Sequence, residues 1–121
     1  MQSPVIHVLL DDVTATTTGT AINIENIKKV TVVFTRSNHS SGSSAFSLLG
    51  SLDGVNFVTL AFARNLAATN SETLQRDTSV TLSSDTSVMV FLDDFVLPLK
   101  AIRCDVTETT DGTHRAVLLG Q

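Results

Sequence analysis

The sequence predicts an all-β fold: a single antiparallel β-sandwich, jelly-roll-like, of about eight or nine short strands. Three observations carry this expectation. Thr (17) and Ser (13) make up about a quarter of the 121 residues, and β-branched Thr suits a pleated surface. Apolar residues recur at period two in several runs, as they do in strands with one face in a core. Turn dipeptides, Asp53-Gly54 and Asp111-Gly112 foremost, cut those runs into short pieces. A chain of this length buries roughly two thirds of its unfolded surface without disulfides or metals, so one core is expected.

The first run, VIHVLL at 5–10, is apolar on both faces and stops at Asp11-Asp12. Residues 1–13 are read as an N-terminal arm or first strand, ahead of a sandwich domain over 14–121. The run is too short to span a bilayer and has no basic residues before it, so neither membrane insertion nor a leader is expected. Thr18-Gly19-Thr20 punctuates the chain before a strand at 20–25 with Ile22 and Ile24 inward. At 29–36, Val30, Val32 and Phe34 share one face. SNHSSGSS, at 37–44, reads as an exposed, mobile loop.

The strand at 44–52 points Phe46, Leu48 and Leu52 inward, and Asp53-Gly54 turns it into a partner at 55–63. The segment 64–77 is too long for a tight turn; Leu66 and Leu74 would tuck it down, with one helical turn in it. Strands follow at 78–83 (Val80 and Leu82 inward) and 87–92, and Pro98 breaks or edges what comes next. The last pair, 99–107 and 113–119, reads as a hairpin about Asp111-Gly112. The expected core is Val30, Val32, Phe34, Phe46, Leu48, Leu60, Ile102 and Val106.

Charge and motifs exclude most chemistry. Eight basic against twelve acidic residues give a net charge of −4, and no basic stripe offers the phosphate contacts that nucleic-acid binding needs. Cys104, the single cysteine, sits in the alternating pattern Lys100, Ile102, Cys104, Val106 and reads as a reduced, packed thiol. His7, His39 and His114 share no metal-ligand spacing. Asp11-Asp12 and Asp93-Asp94 point to opposite faces of any strand they occupy, so only a loop at Asp93 or Asp94 would serve calcium. Serine is abundant, but no GxSxG elbow orders it. No catalytic residue, cofactor or metal ligand is assigned, and no enzyme is expected. The six Phe read as core rather than as sugar-stacking platforms, in a chain without Trp or Tyr.

Three runs, at 5–10, 88–92 and 116–119, are apolar on both faces, and a two-layer sandwich covers only one face of each strand. A subunit contact would cover the other. Val5, Ile6, Val8, Leu9, Leu10, Met89 and Phe91 are therefore the candidate contact residues, and a homo-oligomer is expected.

The order of segments adds a resemblance. TGTAI from Thr18, a valine-rich strand, the hairpin SLDGVNF from Ser51 to Phe57, and LKAIRCDVTETTDGT from Leu99 to Thr113 resemble small β-sandwich structural proteins of tailed-phage virions. The resemblance covers most of residues 14–120. In the position after the DG turn where sugar-binding sandwiches of similar pattern carry a stacking aromatic, Phe57 stands, expected to turn inward. The resemblance implies a capsid decoration protein, made in the host cytoplasm and located in the virion. It would bind the major capsid protein and assemble as a trimer. Because the chain carries few charges, that contact is expected to be mainly apolar and is placed on residues 2–10 with loop 37–44, so that deleting 2–10 abolishes binding and leaves the sandwich folded. The alternatives are a carbohydrate- or receptor-binding module of a tail fibre or secreted protein, and a head-completion or tail component.

Overall fold

The structure, a computed structural model, describes residues 5–25, 27–65, 74–92 and 99–121. Among them are twelve strands and no helix: β1 (Val5–Val13), β2 (Thr17–Thr18), β3 (Ile22–Asn23), β4 (Val30–Ser37), β5 (Ser44–Ser51), β6 (Val58–Thr59), β7 (Phe62–Asn65), β8 (Leu74–Asp77), β9 (Val80–Leu82), β10 (Thr86–Leu92), β11 (Ala101–Glu108) and β12 (Thr113–Gly120). They form two antiparallel sheets. One has the order β1-β12-β4-β10-β7-β8; the other runs β2-β11-β5-β6, with β3 also on β11 and β9 also on β5.

The pairing is nested. β1 pairs with β12, β2 and β3 with β11, β4 with β10, and β5 with β9. Such nesting is what winding one long hairpin into two layers produces, and it gives the jelly roll that the sequence predicts, with twelve strands among the described residues where eight or nine were expected. β6, β7 and β8 are an addition between β5 and β9.

The period-two patterns do set the faces. β4 alternates buried and half-buried along its whole length, and β12 nearly so. All eight expected core residues are buried. Phe34 lies at the centre, stacked on Phe46 across the sandwich at 5.1 Å between ring centres and edge-on to Phe62 at 6.0 Å.

Several expectations are corrected. Asp111-Gly112 is not a hairpin turn, because β11 and β12 belong to different sheets; it is a crossover. Asp53-Gly54 does sit between paired strands, but β5 and β6 meet at Gly50↔Val58, so seven residues, 51–57, separate the paired positions. Leu52 consequently leaves the strand and is 74% exposed rather than inward. The segment 64–77 contributes strand, not helix, where β7 and β8 pair from Phe62↔Asp77 to Asn65↔Leu74; residues 66–73 lie outside the described residues. The loop 37–44 is held rather than loose. The buried Arg36 guanidinium donates to the carbonyls of Ser41 (2.9 Å), Gly42 (3.1 Å), Leu82 (2.7 Å) and Asp111 (2.7 Å), and the Asp111 carboxylate accepts from the Ser40 and Ser41 N–H groups.

Candidate contact surface

The first strand is regular from Val5 to Val8 and then irregular, with register shifts on either side of Leu10 and a positive φ (52°) at Asp12. The extra residue of a bulge breaks alternation, so the adjacent Leu9 and Leu10 both reach the core, each 2% exposed. Neither is a contact residue, and both leave the candidate set. Deleting residues 2–10 would remove two core leucines and uncover β12, so that truncation would not leave the sandwich folded. Val5, opposite Gly120 at the end of the sandwich, lies on the other face of β1 from Ile6 and Val8, and at 40% exposure it is not part of the core.

Ile6, Val8, Met89 and Phe91 do come together. The ladders align Ile6, Leu119, Thr31 and Phe91 in one row across β1, β12, β4 and β10, and Val8, Val117, Val33 and Met89 in the next. All eight point away from the core, and Ile6 is 66% exposed, Met89 49%. With strands about 4.8 Å apart and same-face rows about 7 Å apart, the two rows span roughly 270 Å² in projection.

Polar rows bound this strip. On one side stand Arg115, ion-paired to Asp11 (3.0 Å) and Asp12 (3.5 Å), and Thr35, hydrogen-bonded to Ser87 (2.9 Å). On the other, Lys29 and Gln121 exchange main-chain hydrogen bonds. The outer face of the second sheet is different: Arg103, Asp105 and Thr107 of β11 lie against Leu49, Ser47 and Ala45 of β5. Arg103 there pairs with Asp105 at 3.1 Å and covers the half-buried Phe57 ring at 4.8 Å. Among the described residues, the apolar side chains exposed near the second sheet, Leu52, Val55 and Val58, gather instead at the β5–β6 loop.

Sequence reasoning missed Val33, Val117 and Leu119 as members of the strip, although VTVVF and AVLL carry the alternation that puts them there. It also missed a buried Ser44–His114 pair. The Val13 carbonyl accepts from Nδ1 (3.0 Å), so in the neutral ring Nε2 accepts from Ser44 Oγ at 2.6 Å. Glu108 Oε2 lies 3.7 Å from Nε2. His114 is 0% and Ser44 1% exposed. With no surface on either, the pair ties β12 to β1 and β5 instead of meeting a substrate. His7 and His39 are not drawn into this cluster.

Burial pushes the Cys104 thiol far above its ordinary range, with the Asp105 charge adding to it, which disfavours the reactive thiolate. At the tip of the β5–β6 loop the Asp53 carboxylate accepts from the Asn56 and Val55 N–H groups, the Asn56 amide and the Ser51 hydroxyl. These hydrogen bonds hold it well below the usual carboxylate range. Gly54 supplies the positive φ (82°) that this turn requires. Among the described residues no group of three or more His, Cys, Asp or Glu is placed to hold a metal; Asp93, Asp94 and Phe95 lie outside them.

No protein-family model matches the chain, and no curated protein matches it by sequence. By structure it is similar to the crystal structure of SPBc2 prophage-derived protein YomS, with a TM-score of 0.70 at 13% identity, over 98% of this chain and 94% of that one. That is a likeness of fold over almost the full length of both.

Proposed function

We propose that this chain is a non-enzymatic structural protein of a phage virion. Within that class it is a capsid decoration protein, whose apolar outer sheet face seats on the major capsid protein of the head shell. The observation that carries the reading is the two-row strip on the first sheet, bounded by polar rows. The full-length likeness to a prophage-derived fold supports a phage origin, as does the sequence resemblance to virion sandwiches.

The strip's size fits this role. About 270 Å² is well below the roughly 800 Å² per partner of a stable interface, so each contact is weak alone. A shell offers many equivalent sites. Binding only the assembled shell stabilises it by RT ln(1 + [L]/Kd), about 2.7 kcal/mol per site at a hundredfold excess over Kd. Because the strip carries no charge, added salt weakens binding only slightly, unlike a contact steered by charge.

The test is co-sedimentation with expanded, empty shells of a phage whose genome encodes the chain. Wild type is expected to pellet with shells and raise their melting temperature, while Met89→Asp and Phe91→Asp, both folded, stay in the supernatant. Equal pelleting of wild type and both variants would overturn the reading, and a glycan-array signal without shell binding would favour the receptor-binding alternative.

A further inference from the structure

A sandwich of two open sheets has four edges, and unpaired edges invite strand addition unless they are guarded. Three are guarded here. The second sheet ends in β2 and β3 on one side and in β6 and β9 on the other, interrupted strands of two or three residues. At the far side of the first sheet, β8 is four residues long and includes Arg76 and Asp77. The near side is β1, whose second half is closed by its bulges, by Asp11 and Asp12 bound to Arg115, and by Gly19 close to the Leu9 carbonyl. Its first half, Val5–Val8, is regular, carries no Asp, Glu, Lys or Arg, and pairs only with β12 among the described residues.

We propose that Val5–Val8 is a self-association edge, on which a second copy of this chain adds its own β1, antiparallel, about a two-fold axis. Cross-strand partners must share a face. The register that satisfies this with the described residues sets His7 opposite His7 of the partner subunit and Ile6 opposite Val8 of the partner subunit. Two aliphatic pairs then flank the axis on the outer face. The same register carries Asp11 and Asp12 beyond both ends of the ladder, so the carboxylates of the two copies never oppose one another. It also joins the two apolar strips into one, roughly twice as long, while leaving that face open.

A ladder this short buries much less than a standard interface, so the pair is weak and forms in the micromolar range or above. A two-fold edge closes as a dimer, not as the trimer implied by the resemblance. The pairing stands on the edge alone and does not depend on what the outer face binds.

Analytical ultracentrifugation of the full chain, from low micromolar to near-millimolar concentration, tests it. Wild type is expected to rise from 12.9 kDa toward twice that mass. Val8→Lys and Ile6→Lys each set a lysine in the ladder at an exposed position and are expected to stay monomeric throughout, with unchanged circular dichroism. Met89→Lys, three strands in from the edge on the same face, is expected to dimerise like wild type. The proposal is overturned by a wild type that stays monomeric or forms a trimer. It is also overturned by a dimer that survives Val8→Lys, or by one that Met89→Lys abolishes, since that would be stacking of faces.

Discussion

Replacing Arg36 by Met removes the guanidinium that ties three loops to one end of the sandwich. Hydrogen bonds to charged groups contribute about 1.5–3 kcal/mol each, so the four carbonyl contacts set a ceiling of roughly 6–12 kcal/mol. Two effects bring this down. Burying a charge costs several kcal/mol that the variant no longer incurs, and Ser41 and Gly42 are exposed, so their carbonyls rehydrate. Leu82 is only 4% exposed, and its stranded carbonyl costs about 1–3 kcal/mol. The net expected loss is about 2–4 kcal/mol, a fall of roughly 10 °C in Tm for a domain of this size. Arg36→Lys recovers little, because an ammonium on a flexible stem does not reproduce the planar fork. Urea unfolding followed by circular dichroism reads the stability, and hydrogen exchange at residues 38–43 reads the freed loop. A loss under about 1 kcal/mol at unchanged m-value, with those amides still protected, would refute the argument that Arg36 organises this end.

Four further outcomes are expected. Phe34→Ala loses about 3–5 kcal/mol in the same assay, as core Phe truncations do, because Phe34 is fully buried between Phe46 and Phe62. Gly112→Ala is destabilising: φ is 123° and the added Cβ would lie 2.8 Å from Arg36 Nε, so a stability equal to wild type would contradict the observed crossover. Asp53 has a lowered folded pKa, so its contribution is fully present above the ordinary value of 3.8 and is lost as pH falls through the folded value. Acid titration of Asp53→Asn should lack that component, and superimposable wild-type and variant profiles would count against it. Cys104, buried with a raised pKa, should react with a thiol reagent only at the rate of unfolding; rapid labelling of the native protein would show an opening near β11 that the packing does not contain.

The strand positions were legible because period-two alternation is local: VTVVF and CDV each announce one buried face without knowledge of the partner strand. The same parity pointed inward at Arg36, two residues after Phe34, and at His114, two before Ala116. Residue type argued against burial there, and only the structure supplies the carbonyls and the serine that satisfy them. Sheet membership was not legible. A dipeptide such as Asp111-Gly112 says that the chain turns, but whether it turns into the same sheet or across to the other depends on pairings set by residues more than fifty positions away.

The contact strip shows the same division between local and non-local information. Excess apolar residues in 5–10, 88–92 and 116–119 were visible as a surplus, and four of the seven expected contact residues lie in the strip. Which of them would be exposed was decided elsewhere. The bulge at Leu10 turned two leucines inward, and the register of β1 on β12, β12 on β4 and β4 on β10 brought Val33, Val117 and Leu119 into line with Ile6, Val8 and Met89. Four segments far apart in the chain thus build one outward face, and the nested winding of the jelly roll sets them side by side. A one-residue slip of β12 on β4 would reverse its faces and turn Arg115 and Val117 toward the core. The core packing of His114, Ala116 and Leu118 therefore also fixes the outer strip: Ala116→Lys, which puts a charge at a fully buried position of β12, should abolish shell binding with the fold, although Ala116 touches nothing outside.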